Sequence, residues 1–180
     1  MKKLTLSKIL KSIGFAMAFT MASSSAQAVI LTDVIMMVDE SGSMGNVQTN
    51  LRNNIGAFAN ILSAGGVDAR YGLVGYGSSS VAPRMLTDLT DATSFATAAQ
   101  NLLTNGGTEP GYTATAFALN QLDNQNPLFS FRSNAVKNLI IFTDEPHNGT
   151  STTYGTYTGV TVSFAIADQL LTDANALFNA

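Results

Sequence analysis

A chain of 180 residues with 46 % hydrophobic and only 12 % charged residues is long enough for one domain with a real core and too apolar to be a disordered tail. The absence of cysteine excludes disulfides, thiolate metal sites, a cysteine nucleophile and a lipid-bearing cysteine. A formal net charge of −3, with Arg52, Arg70, Arg84, Arg132 and Lys137 scattered along the chain, excludes the concentrated basic face that phosphate backbones need, so nucleic acid is not an expected partner.

Residues 1 to 28 carry the marks of a secretory signal peptide. Lys2, Lys3, Lys8 and Lys11 make a basic start, Ile13 to Ala22 is a short apolar run, and "SSSAQA" ends with Ala26 and Ala28 in the small-x-small pattern of a cleavage site. The run falls short of the roughly 20 apolar residues that cross a bilayer. Its removal leaves a mature chain, 29–180, with five basic and twelve acidic residues and a net charge of −7. The expected product is an acidic, exported protein of the periplasm, cell surface or medium, without a transmembrane segment.

No repeat or long linker divides residues 29–180, so one domain is expected. "VILTDVIMMV" (29–38) is apolar nearly throughout, as a central parallel strand covered on both faces should be. Val47, Leu51, Ile55, Phe58 and Leu62 then recur as one helical stripe that ends near "AGG" (64–66). "DARYGLVGYG" (68–77) predicts a second strand, and "SVAPRMLTDLT" (80–90) a short one at an edge, because Pro83 cannot donate to a ladder on both sides. Phe95, Ala98, Leu102 and Leu103 line a second predicted helix stopped by "NGG" (105–107). Pro110 opens a third, with Ala114, Phe117, Ala118 and Leu122 on one face. "AVKNLIIFTDE" (135–145) is another buried strand ending in acid. The tail "GVTVSFAIA" (159–167) alternates like a strand, yet Val160, Phe164, Ala167 and Leu171 also share a helical face; a crossover helix over about 158–173 is favoured, with "NALFNA" (175–180) beginning the next parallel strand. The order implies an α/β fold: an open, mostly parallel sheet with helices on both faces.

Two of these strands end in aspartate, Asp39 after "VIMMV" and Asp144 after "LIIFT". Sites of open parallel sheets lie beyond the carboxyl ends of the strands, where neighbours send their crossovers to opposite faces. If these strands are neighbours at that point, the two carboxylates meet. Ser41 and Ser43 follow Asp39 at a spacing of two, so in an extended loop the three side chains point the same way. Two carboxylates and several hydroxyls, with no nitrogen or sulfur, suit a hard cation such as Mg²⁺. With only two formal charges against the ion's two, the site should bind metal modestly and leave it open to an outside carboxylate.

"DESGS" (39–43) resembles the DxSxS signature of the von Willebrand factor type A domain, "GGTEPGYTA" (106–114) its second motif, and "IIFTDE" (140–145) its third. The resemblance implies that the domain covers 29–180. Its metal-ion-dependent adhesion site then falls on Asp39, Ser41, Ser43, Thr108 and Asp144. Also implied are Mg²⁺, or Mn²⁺ in its place, an acidic residue from a protein or cell-surface ligand in the open coordination position, and strand order 3-2-1-4-5. Glu109, Tyr112, Glu145 and His147 are candidate ligand contacts on the rim, with Tyr154 and Tyr157 in loops nearby. Members of the family normally complete a sixth strand and a last helix, so a carboxy-terminally incomplete domain with an open sheet edge is expected.

Rival readings are weaker. A serine hydrolase would use the strand-to-helix serine with His147, but "SGSMG" (41–45) lacks the leading glycine of GxSxG. A phosphoryl-transfer enzyme with Asp39 as nucleophile lacks a GxxxxGK[ST] loop. A metal-free structural remnant is the remaining alternative. Taken singly, Ser41, Ser43 and Thr108 would pass for helix caps and Asp144 for a turn-forming acid. "NGT" (148–150) matches a glycosylation sequon, which matters only in a eukaryotic secretory path.

Overall fold

In the computed structural model, which describes residues 29–79 and 82–180, the apolar run at the start of the mature domain becomes the central strand β1 (Ile30–Asp39). The expected signal peptide lies outside the described residues. From Thr32 onward β1 is buried on both sides, and its side chains divide by parity. Val34, Met36 and Val38 enter one apolar cluster, Ile35 and Met37 the other. Near-continuous hydrophobicity is thus explained by two cores, one on each face of the sheet.

Helix α1 (Gly45–Ala64) buries Leu51 and Ile55 against the first cluster, with Val47, Phe58 and Leu62 partly covered on the same stripe. It ends where Gly65 donates back to the Ile61 and Leu62 carbonyls and Gly66 takes a φ of +78° that only glycine adopts without strain. β2 (Val67–Tyr76) follows, parallel to β1, and β3 (Arg84–Thr90) pairs antiparallel to β2 at the edge, starting immediately after Pro83. Asp91 caps α2 (Ala92–Ala98) by accepting from the Thr93 and Ser94 amides at 2.8 and 2.9 Å.

The predicted stop of this second helix at 105–107 is too late. The helix tightens to a 3₁₀ turn at Ala99–Asn101, which rotates the stripe so that Phe95, Ala99 and Leu102 are buried while Leu103 is 40 % exposed. The backbone of Leu103 is needed elsewhere: its amide donates to Glu40 Oε1 at 2.8 Å and its carbonyl accepts from Gln48 Nε2 at 2.7 Å.

Helix α3 (Gly111–Ala118) begins after Pro110, as predicted, but is buried on almost every side rather than along one stripe, with Tyr112 alone partly exposed. β4 (Val136–Phe142) pairs parallel to β1 from Thr32↔Val136 to Val38↔Phe142. The tail differs from the favoured helix. Residues 156–161 form a small antiparallel hairpin, β5 (Thr156–Tyr157) and β6 (Val160–Thr161), and only then does α4 (Phe164–Asp173) start, capped by Ser163. The physical reason is Asp123, whose carboxylate accepts from the Thr158 and Gly159 amides at 3.0 and 2.8 Å and from the Thr156 hydroxyl at 2.7 Å. This holds a turn with φ of 49° at Thr158 and 80° at Gly159, incompatible with a helix. Val160 is 50 % exposed, and Ala167 and Leu170 provide the buried face instead. "NALFNA" does supply the expected strand, β7 (Ala176–Asn179), parallel to β4.

The sheet order β3-β2-β1-β4-β7 places the strands carrying Asp39 and Asp144 side by side. Helices α1 and α2 pack on one face, α3 and α4 on the other, so the crossovers part at the carboxyl ends of β1 and β4. At the opposite end Arg132 ties the sheet together. Its guanidinium meets the buried Asp33 carboxylate at 2.7 Å, the Thr32 carbonyl at 2.7 Å and the Asp68 carbonyl at 3.0 Å.

Candidate metal centre

Asp39 is the last residue of β1 and is fully buried. Beyond it the chain makes one more sheet-like bond, Glu40 N–H to the Tyr76 carbonyl at 2.8 Å, and then turns. Ser41 N–H donates to Asp39 Oδ1 at 2.7 Å, which fixes the carboxylate against its own loop. A 3₁₀ turn (Gly42–Met44) leads into α1 and sets Ser43 Oγ 3.3 Å from Ser41 Oγ. Asp39, Ser41 and Ser43 therefore form one oxygen-rich corner, built by a 3₁₀ turn at Gly42–Met44 rather than by the extended loop that their spacing suggests.

The other carboxylate oxygen, Asp39 Oδ2, lies 3.1 Å from the hydroxyl of Thr143, the first residue past β4. That hydroxyl has one proton to share between Asp39 and the Glu145 carbonyl at 2.9 Å. Asp144 is exposed beside it, and its negative charge reaches Asp39.

The loop carrying Thr108 is laced to the same corner by backbone. The amides of Asn105 and Gly106 donate to the Glu40 carbonyl at 3.1 and 3.0 Å, and Gly42 N–H donates to the Gly106 carbonyl at 3.2 Å. Gly106 lies so close to the loop after β2 that a Cβ there would come within 1.6 Å of the Gly77 carbonyl oxygen. At Gly77, where φ is +77°, a Cβ would meet the Thr108 carbonyl at 2.5 Å and Asp39 Oδ1 at 3.3 Å. Loops after β1, β2 and β4 and the loop before α3 thus converge on Asp39.

The candidate rim residues separate into two groups. Glu145 is exposed, and Tyr112 and His147 are half-buried and stacked, their ring centroids 3.7 Å apart. Glu109 is not a surface residue: only 2 % exposed, it exchanges backbone and side-chain hydrogen bonds with Asn148, including Glu109 N–H to Asn148 Oδ1 at 2.9 Å and Asn148 N–H to the Glu109 carbonyl at 3.1 Å. The Asn148 amide of the sequon is committed to this clamp. Burial pushes the Glu109 carboxyl above its ordinary pKa, the charges of Asp39, Glu145 and Asp144 adding to the rise against the Asn148 bond. Burial likewise holds the His147 imidazole below its ordinary pKa. Tyr154, at the end of a 3₁₀ turn (Thr152–Tyr154), and Tyr157, in β5, are half-buried beyond.

Sequence reasoning missed the residues that hold this arrangement. Glu40, inside the DESGS motif, is fully buried; its carboxylate takes the Arg84 guanidinium at 2.5 and 3.2 Å and the Leu103 amide. Gln48, also fully buried, donates to the Asp39 carbonyl at 3.1 Å as well as to Leu103. Glu40 gave no local signal, because its partner Arg84 is 44 residues away. Thr143 had one, its place between an apolar strand and Asp144.

The chemistry of the corner suits a hard divalent cation. Burial raises the Asp39 pKa, the hydrogen bonds from Ser41 and Thr143 oppose the rise, and Asp144 adds to it. Among the described residues no lysine or arginine pairs with Asp39 or Asp144. Nor do three or more Asp, Glu, His or Cys side chains gather among the described residues. The available donors are two carboxylates and hydroxyl oxygens, the hard-ligand class.

The von Willebrand factor type A domain family matches residues 33–166. No curated protein matches the chain. Solved structures similar to it include the pilus adhesin SpaC from Lactobacillus rhamnosus GG, at 22 % identity and a TM-score of 0.48 over 66 % of this chain and 16 % of that one. The same adhesin in an open conformation is 24 % identical, with a TM-score of 0.46 over 66 % of this chain and 15 % of that one. The three N-terminal domains of the type V pili tip protein Mfa5 from Porphyromonas gingivalis are 25 % identical, with a TM-score of 0.42 over 63 % of this chain and 19 % of that one. The chain spans less than a fifth of the length of each.

Proposed function

The chain belongs to the von Willebrand factor type A domain family, and from that membership we propose that it is an exported, non-catalytic binding domain whose surface at the ends of β1 and β4 takes a protein or cell-surface ligand through a divalent cation. The observation that carries this reading is Asp39: a buried carboxylate with a raised pKa and, among the described residues, no cationic side chain against it, meeting the hydroxyls of Ser41 and Thr143, with Ser43 beside Ser41, and the charge of Asp144. Such a group is costly to bury ionised unless a cation compensates it. Asp39 and Asp144 would supply charge, and Ser41, Ser43 and Thr108 neutral oxygens, for Mg²⁺ or Mn²⁺. The ion, when bound, supplies an electrophilic position for a carboxylate from outside.

The protein's own contribution is positioning. Ser41 N–H and Thr143 Oγ1 fix the two Asp39 oxygens, and Glu40 pins the Thr108 loop through its carbonyl. The serine hydroxyls face each other, and His147 Nδ1 accepts from the Tyr112 amide at 3.4 Å, which supports the binding reading over a serine–histidine couple. Among the described residues no helix is long and apolar enough to cross a membrane. Isothermal titration with Mg²⁺ and Mn²⁺ tests the reading. Heat and a rise in melting temperature are expected for the native chain, both lost in Asp39→Asn and weakened in Ser43→Ala. Equal responses in all three proteins would refute it.

A further inference from the structure

The edge strand β3 is separated from β1 by β2, yet its first residue, Arg84, is bonded to the residue that follows Asp39. That residue, Glu40, is fully buried, and its carboxylate lies over β2 at Gly75, where a Cβ would stand 2.7 Å from the carboxyl carbon. Gly75 is also in register with Arg84, so its missing side chain leaves room for the two charged groups to meet above β2. Arg84 Nη2 and Nε donate to the two Glu40 oxygens at 2.5 and 3.2 Å, and Nη2 donates to the Asn101 carbonyl at 2.9 Å as well. Among the described residues no other cationic side chain pairs with Glu40.

Glu40 in turn governs the loop that carries Thr108. Its Oε1 accepts the Leu103 amide at 2.8 Å, and its carbonyl accepts the Asn105 and Gly106 amides at 3.1 and 3.0 Å. One residue thus holds the start of the loop through side chain and backbone, while Arg84 holds Asn101 just ahead of it. Thr108 comes soon after, its backbone against Gly77 beside Asp39. Without Arg84 the Glu40 carboxylate would be a buried charge lacking its partner, a state that draws in water or expels the group. Either response breaks the Leu103 bond and loosens the loop.

We propose that Arg84 is a positioning residue for the metal corner. It is not a ligand; by fixing Glu40 and Asn101 it sets where the Thr108 hydroxyl stands relative to Asp39, Ser41 and Ser43. The guanidinium is required because its fork spans both Glu40 oxygens and the Asn101 carbonyl together, whereas an ammonium keeps the charge and loses the fork. The inference rests on the cation-binding reading above and adds to it a residue 44 positions from Glu40, on a strand that bears none of the proposed ligands.

Arg84→Lys tests it, since Glu40 then keeps a cationic partner. A second variant, Glu40→Met with Arg84→Met, removes both charges together with the acceptor for the Leu103 amide. Mg²⁺ affinity is measured by titration calorimetry on these proteins, the native chain, Thr108→Val and Arg84→Lys with Thr108→Val, each at a temperature where circular dichroism shows it folded. Both Arg84 variants are expected to bind Mg²⁺ roughly tenfold more weakly, the scale of losing a supporting partner behind a metal ligand, with faster amide exchange at Leu103, Asn105 and Gly106. In the Thr108→Val background Arg84→Lys should cost little further affinity, because its effect runs through that hydroxyl. A merely structural arginine would lower the melting temperature and leave the affinity of the folded protein unchanged. That result, or an equal loss with and without Thr108, would overturn the inference and leave the cation reading standing. Absence of Mg²⁺ binding by the native chain would overturn both.

Discussion

At Asp39 burial and binding pull in opposite directions. Desolvation, with Asp144 nearby, raises its pKa, so ionising it in the folded chain is costlier than in the unfolded one. For an acid shifted this way the penalty is absent at low pH, grows above the unfolded pKa and is complete above the raised folded pKa. Asp39→Asn, which keeps an oxygen for the Ser41 amide, should therefore raise the melting temperature in chelator at neutral pH. The gain should shrink as pH falls through the raised pKa, and thermal scans at several pH values would show it. Because the proton and the cation compete for the same oxygens, Mg²⁺ affinity should fall over the same window, as titration calorimetry in a pH series would record. A pH-independent affinity would mean that Asp39 does not hold the ion.

Elements carry different liabilities. The hairpin β5–β6 is held by Asp123, whose pKa is lowered by the Gly159 amide, the Thr156 hydroxyl and the Thr158 amide against a small opposing desolvation. A lowered carboxylate pKa stabilises above the unfolded value and loses its effect as pH falls through the folded one. Asp123→Asn should thus lower the melting temperature at neutral pH and match the native chain in strong acid. Ser163 caps α4 through its bond to the Ile166 amide at 3.3 Å, and Ser163→Ala should cost about 1 kcal/mol in urea unfolding. Gly106→Ala strikes the junction of three loops, where a Cβ has no room. It should open the bonds from Asn105 and Gly106 to Glu40, seen as lost hydrogen-exchange protection at those two amides together with weaker Mg²⁺ binding.

Across the whole molecule the two ends of the sheet do separate work. The carboxyl ends of the strands gather the candidate site, while the other end is locked by Arg132 against Asp33 and Asp68. Arg132→Ala leaves the Asp33 carboxylate buried without its partner and should cost about 3–5 kcal/mol of folding stability by urea titration. Because no bond of this network reaches Asp39, Mg²⁺ affinity of the folded fraction should be unchanged. A matching loss of affinity would show that the ends are coupled.

What the sequence by itself determined is the framework: strands and helices in order, the sheet's parallel character, and the corner formed by Asp39, Ser41 and Ser43, because these depend on periodicity and on spacing within a few residues. The neighbouring of β1 and β4 was legible only conditionally, through two strands ending in acid and the family resemblance. What only the tertiary structure decided involves partners far apart in the chain. Asp123 turned a favoured helix into a hairpin 33 to 36 residues away, Arg84 satisfied a glutamate buried inside the motif, and Asn148 drew Glu109 off the surface. A carboxylate's fate depends on which donors reach it in space, and no local pattern in a chain records that.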